Sequence, residues 1–354
     1  MTNFTIRKCN RSYSVVIATA DREEMLARVL EDWTAQTVSP EKVVVVEARG
    51  ERHEAREGRG EQGDTGQETG GSAGQAAYGI RHGVGEGSGE KTLKNGNAEP
   101  EPHAETGPSQ KLKVYSIDSP LRSAAKQRNL GAEEVETEWI VFCDDDVRFG
   151  PDLAERTLGF LNEHPDAVAV FPRMRGSGHP VPGNWLRRYY RFQAGFDDET
   201  YGAKLFGAGI SCYPCWEKQK APVEANWLPS TMLWIKTDLF KQQEFPDFEG
   251  YSFGEDAHLT HRVWRDMQPS GGRLYFLSEP EFEHLSVQSG VKASRFYLGR
   301  MTVQNQKRIA REAMGKGAWE VFWKSLLHRG FVTLALLKGR RIGWMGEIMG
   351  MWRG

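Results

Sequence analysis

The feature that most constrains this chain is an alternation. Short apolar runs rich in β-branched and aromatic residues, too brief for buried helices, are separated by segments whose apolar residues recur at helical spacing. "SYSVVIATA" (12–20) precedes "DREEMLARVLEDWTAQ", which sets Met25, Leu26, Val29, Leu30 and Trp33 on one helical face. Asp21 stands where it can cap that helix, and Glu23 and Glu24 suit the dipole of its first turn. "KVVVVEA" (42–48), "KLKVYSIDS" (111–119), "EWIVFC" (138–143) and "DAVAVFPRM" (166–174) read as further strands. "LRSAAKQRNLGAEEVE" (121–136) and "PDLAERTLGFLNEHP" (151–165), the latter with Pro151 near its first turn, read as helices. Near-continuous apolar strands alternating with helices predict an α/β fold: a mostly parallel sheet, Rossmann-like, covered by helices.

The alternation stops between about 50 and 110. Fifteen of the chain's 39 glycines lie there, and large apolar residues are almost absent. Such a segment cannot bury enough surface to offset the entropy of ordering it, so the composition predicts a disordered Gly-rich insertion. The chain's net charge of −2 gives no general attraction to nucleic acid. Four cysteines in 354 residues are too few for a disulfide scaffold. The first residues, "MTNFTIRKCNRSYSVV", lack the apolar core of a signal peptide, and no apolar run reaches the roughly 20 residues of a membrane span. These features predict a cytoplasmic protein.

The chemistry is announced by "EWIVFCDDDVRFG" (138–150), where an apolar strand delivers Asp144, Asp145 and Asp146 to one place. In sheets of this kind ligands bind beyond the C-terminal ends of the strands. Close carboxylates are relieved by protonation or by a cation, and hard divalent ions such as Mg²⁺ and Mn²⁺ take carboxylate and phosphate oxygens. A second acidic pair, Glu255 and Asp256 in "GYSFGEDAHLTHRVWRD" (250–266), opens a helix with Leu259 and Val263 among its apolar positions. On their own, such residues satisfy a helix dipole as readily as they act in catalysis.

With these segments in view, the chain resembles the inverting GT-A glycosyltransferases of the family 2 group, which take sugars from nucleotide-sugar donors. "SVVIATADREEMLARVLEDWTAQT" is similar to the family's first strand and helix, and "KQRNLGAEEVETEWIVFCDDDV" to the segment ending in its DxD motif. The resemblance implies that Asp144 and Asp146 are the DxD pair holding Mn²⁺ or Mg²⁺ on the donor diphosphate. It places Asp145 beside the donor, Arg128 near the phosphates, and Thr19 and Glu47 near the nucleoside. It makes Asp256 the catalytic base, with Glu255 orienting. His284, in "EPEFEHLSV" (279–287), matches a family histidine near the metal or diphosphate. The family's second strand usually ends in two acidic residues; here Glu47 is followed by Ala48, so no base is named.

The implied activity is metal-dependent, inverting sugar transfer to a hydroxyl of a glycan or lipid-linked acceptor. The alternative is a nucleotide-sugar-binding or scaffold protein without turnover. The domains read as 1–290, a GT-A unit carrying the 50–110 insertion, and 291–354, a helical C-terminal extension. Residues 319–354, rich in Trp, Leu and Met with interspersed Lys and Arg, suit either peripheral membrane contact at the inner face of the plasma membrane or packing in a homodimer. Cys212 and Cys215 form a CxxC in a Gly/Pro-rich stretch without a second ligand pair, which disfavours redox or zinc chemistry. His258 and His261 lack HExxH spacing.

Overall fold

The structure, a computed structural model, describes residues 11–48, 112–175, 203–214, 216, 219–248, 253–285 and 295–338. The expected insertion and Cys215 lie outside these residues, as does 339–354.

The chain begins β1 (Tyr13–Thr19), α1 (Glu23–Thr34), β2 (Val43–Ala48), β3 (Val114–Ser119), α2 (Ala124–Glu133), β4 (Trp139–Asp144) and β5 (Val147–Phe149). It continues α3 (Leu153–Glu163), β6 (Ala167–Arg175), the short pair β7 (Leu205–Phe206) and β8 (Ile210–Ser211), β9 (Val223–Ala225), β10 (Met232–Lys236) and α4 (Thr237–Gln243). Then follow α5 (Glu255–Met267), β11 (Arg273–His284), α6 (Arg295–Glu312) and α7 (Ala318–Lys338).

One nine-stranded sheet runs β3-β2-β1-β4-β10-β6-β11-β5, with β9 also on β11. β3, β2, β1 and β4 are mutually parallel, and β11 is parallel to β6. β10 lies antiparallel between β4 and β6, so the sheet is mixed but mostly parallel. β2 and β3 are parallel neighbours.

Burial explains the strand composition. β1, β2 and β4 are buried on both faces along almost their whole length, which is why they read as continuous apolar runs rather than alternating ones. Trp33, Trp139, Trp227 and Trp234 are fully buried among them. α1 directs Val29 and Trp33 into the core, with Leu26 and Leu30 at its margin. α2 lies so close to the sheet that a Cβ on Gly131 would sit 2.5 Å from Val16 Cγ1 and 2.9 Å from Val46 Cγ2. Only glycine admits that approach, which seats Gln127 and Arg128 over the strand ends.

Two details depart from expectation. Asp21 does not cap α1: the N-cap is Arg22, with no side-chain cap, and Asp21 has φ 55° with its carboxylate 2.7 Å from Arg122. The left-handed backbone there turns the aspartate away from the helix it precedes. α6 belongs to the same core as the sheet domain, since Ile309 and Ala313 are buried in it. Asn305 Nδ2 and Arg308 Nη1 donate to the Phe253 and Asp247 carbonyls, and Arg265 Nη1 on α5 donates to the Ala313 carbonyl.

Candidate active site

The parallel strands end on one edge. β1 ends at Thr19, which is in register with Glu47 of β2, itself paired with Asp118 of β3. β4 ends at Asp144, and Asp145 and Asp146 form the turn into β5. Three contacts fix that turn. The Asp144 N–H donates to Thr231 O just before β10, and the Leu285 N–H donates to Asp146 O just after β11. Arg148, next along β5, makes a two-pronged contact with Asp32 of α1 at 2.8 and 3.0 Å. Across the edge, Gln127 Nε2 donates to the carbonyls of Thr19 and Val46, 2.8 Å each.

Each aspartate of the triplet has its own partner. Asp145 accepts from Thr19 Oγ1 at 2.7 Å and from Arg22 Nη1 at 2.8 Å. Asp146 lies 3.2 Å from His284 Nε2 and 3.5 Å from Arg22 Nη1. Asp144 accepts from Arg128 Nη2 at 2.7 Å. Burial raises the pKa of Asp145, and the bonds from Thr19 and Arg22 offset that rise only in part. Burial also acts to raise Asp146, but His284 and Arg22 outweigh it and the pKa falls. In return, Asp146 outweighs burial at His284 and raises the imidazole pKa. Asp144, Asp146 and His284 each offer a ligand atom, all within 4.8 Å of one another. Two carboxylate oxygens and an imidazole nitrogen form a donor set that suits Mn²⁺ or Mg²⁺, with room left for phosphate oxygens.

The second acidic pair opens α5. Gly254 is its N-cap with φ +84°, and a Cβ there would meet Ile309 Cδ1 at 2.7 Å. The left-handed backbone is what favours glycine there, since the Ile309 methyl is the end of a flexible side chain that can shift. Thr260 Oγ1 donates to the Leu228 carbonyl at 3.0 Å and accepts from the Leu228 N–H at 2.9 Å, pinning α5 to the segment leading into β10. Asp256 accepts from the Ala257 N–H at 2.7 Å. Burial and the neighbouring Glu255 raise its pKa to about 7, against the opposing pull of Arg128 and two backbone N–H groups.

Arg128 joins the two sites. Its Nη2 holds Asp144 and its Nη1 lies 3.5 Å from Glu255, with the guanidinium over the Phe245 ring. Burial opposes its charge, but Asp144 and Glu255 outweigh that and raise its pKa. It is nearly fully buried, so it stands between the carboxylates rather than facing open solvent.

Thr19, Asp145, Asp146 and His284 form one contact set through Arg22, and Asp144, Arg128 and Glu255 a second, the two brought together at the 144–146 turn, with Asp256 beside Glu255. Glu47 sits one strand further along the same edge. Arg22 was missed because the sequence offers it only as a polar residue at a helix start. Its place after the first strand was the available signal. The residues set aside earlier are structural. His258 packs on Phe248 and reaches Glu312 at 3.2 Å, and His261 Nδ1 meets the Asn226 carbonyl at 2.8 Å. Cys212 is buried, which pushes its thiol pKa up.

Residues 103–217 match the sequence profile of glycosyl transferase family 2, a span that contains Arg128 and the aspartate triplet. No curated protein sequence matches the chain. Among solved structures, S. aureus TarS 1-349 in complex with UDP-GlcNAc aligns with 94% of this chain and 75% of its own at 15% identity, TM-score 0.46. GalNAc-T7 with UDP, GalNAc and Mn²⁺ aligns with 85% of this chain and 48% of its own at 12% identity, TM-score 0.49. Residues 103–217 are thus similar to glycosyl transferase family 2, and they carry the acidic strand end of a mixed, mostly parallel sheet covered by helices.

Proposed function

We propose that the chain moves a sugar from a nucleotide-sugar donor to a hydroxyl of a glycan or lipid-linked acceptor, with inversion at the anomeric carbon. The observation that carries this reading is the pairing of two acidic sites of unlike character, joined through Arg128. Asp144, Asp146 and His284 would hold Mn²⁺ or Mg²⁺. When bound, such an ion neutralises charge developing on the diphosphate leaving group. Asp145, held by Thr19 and Arg22, lines the donor side, with Thr19 and Glu47 toward the nucleoside.

Asp256 is the general base. An acceptor hydroxyl has a pKa far above neutrality, so its proton must pass to a positioned group as the oxygen attacks. A carboxylate with a pKa near 7 takes that proton better than one of ordinary acidity. Glu255, paired with Arg128, orients the base and keeps a negative charge beside it. Attack from the face opposite the diphosphate inverts the centre. The reading includes a cytoplasmic location at the inner face of the plasma membrane, with residues 319–354 as the segment that meets lipid or a second copy. Among the described residues, no helix is long and apolar enough to cross a membrane.

Calorimetric titration of a panel of nucleoside diphosphates, with and without Mn²⁺, tests the donor side. The metal should tighten the preferred nucleotide by about tenfold or more, and by linkage the nucleotide should tighten the metal equally. Asp146→Asn should remove that coupling without unfolding the protein. Equal nucleotide affinity with and without metal would overturn the reading.

A further inference from the structure

α7 carries apolar residues on its outer face as well as on the face it packs inward. The residues it turns inward are Val321, Ser325 and Arg329, all buried. Those it turns outward are Trp319, 71% exposed, and Phe322, Trp323 and Leu327, each about half exposed. The three aromatic rings touch one another, with centroids 5.4–5.8 Å apart. An amphipathic helix normally buries its apolar face. Here the inward face packs Val321, Ser325 and Arg329 on the domain, with Phe331 against Phe206, Ile210 and Cys212, while the second, aromatic face has no partner among the described residues.

Basic residues outnumber acidic ones in this part of the sequence. From Lys316 to Arg353 there are seven Lys and Arg against two Glu, a net +5 in a chain whose total is −2. Lys316 and Lys324 flank the aromatic cluster and share Glu320 at 2.7 and 2.8 Å, leaving one positive charge over. Behind it, Arg329 is 9% exposed and its Nη2 finds no acceptor among the described residues. Lys307 and Arg311 of α6 lie near enough to act on one another's charge, and Arg329 acts on Lys307 as well. Two such positive surfaces would repel, which argues against a second copy as the occupant. An exposed aromatic cluster flanked by Lys316 and Lys324 fits the headgroup region of an anionic bilayer.

We propose that the outer face of α7 docks on an anionic lipid surface, with Trp319, Phe322, Trp323 and Leu327 entering the headgroup region and the surrounding cations meeting lipid phosphates. This deepens the membrane part of the reading above and is independent of sugar transfer. Docking there would also orient the site, because α7 rests on α6, and α6 on the α5 that begins with Glu255 and Asp256.

The test uses the full chain with no donor present. Co-sedimentation is measured with vesicles of phosphatidylcholine alone and with phosphatidylglycerol added, at rising salt, alongside light scattering for oligomeric state. Binding should require phosphatidylglycerol and weaken as salt rises. The combined Trp319→Ala, Phe322→Ala, Trp323→Ala variant should lose binding by at least about tenfold while keeping its melting temperature, since the three side chains are exposed. Lys324→Gln should weaken binding by about fivefold, the effect of one cation near such a surface. Three outcomes would overturn the proposal: no binding to either vesicle, binding unchanged in the triple variant, or a dimer held by the same residues without vesicle binding. Metal-assisted nucleotide binding can succeed or fail whichever result is obtained, so the two readings fail separately.

Discussion

Asp146 and Asp256 belong to the same site, yet their surroundings push them in opposite directions. Asp146 is buried against His284 and Arg22, and those cations hold its pKa down despite burial. Asp256 is desolvated beside Glu255, and burial together with that neighbouring carboxylate raises its pKa to about 7 against the weaker pull of Arg128, whose Nη groups face Asp144 and Glu255. One environment keeps a carboxylate ionised and ready for a cation. The other keeps a carboxylate avid for a proton. The side chain is the same, so the division of labour lies in what each is packed against.

The sharpest way to break this comparison is to remove the proton acceptor alone. Asp256→Asn should reduce turnover by about a thousandfold, within the range for loss of a general base. Nucleotide affinity in the presence of Mn²⁺ should stay within about twofold, because the base faces the acceptor and not the diphosphate. A parallel loss of nucleotide binding would show that the two sites are one.

Removing the strut between them should be nearly as costly, but to stability. Arg128→Met leaves Asp144 and the buried Glu255 without their shared cation, and breaking a buried pair in this way costs about 3–5 kcal/mol. Urea denaturation measures it. A loss under about 1 kcal/mol would mean that water replaces the guanidinium and that the strut is dispensable.

Gly254→Ala sharpens the comparison from the backbone side. The positive φ there should cost about 1–2 kcal/mol. Because Gly254 caps the helix that presents Asp256, turnover should fall while metal-assisted nucleotide binding does not.

The smallest effect is in the pH dependence of stability. Asp256 has a folded pKa above its unfolded value of about 3.9, so its contribution is present below that value and is lost as pH rises through about 7. Asp146 has the opposite sign: its contribution is present above the unfolded value and is lost as pH falls through its lowered folded value. Asp256→Asn should therefore raise the melting temperature relative to the unmutated protein most at about pH 8.5, progressively less as pH falls, and not at about pH 3.5. Turnover of the unmutated protein should fall as pH drops below about 7, where the base is protonated.

The sequence by itself determined the order of strands and helices, because strands buried on both faces must be continuously apolar and helices packed on one side must repeat near 3.6 residues. Val43–Val46 and Ile140–Phe142 could not have been surface segments. It also determined that acidic residues stand at the end of β4 and at the start of α5, since both positions follow from where apolar periodicity stops and resumes. It did not reveal Arg22 as a partner of Asp145 and Asp146, because the contact joins residues 123 positions apart. It could not reveal that Arg128 stands under Glu255, 127 positions away, or that β10 inserts antiparallel between β4 and β6. It left α7 undecided between lipid and subunit, since periodicity gives two faces and does not say which one the domain takes. Those matters depend on which groups tertiary packing desolvates together, and charge, pKa and exposure are properties of that neighbourhood rather than of the residue.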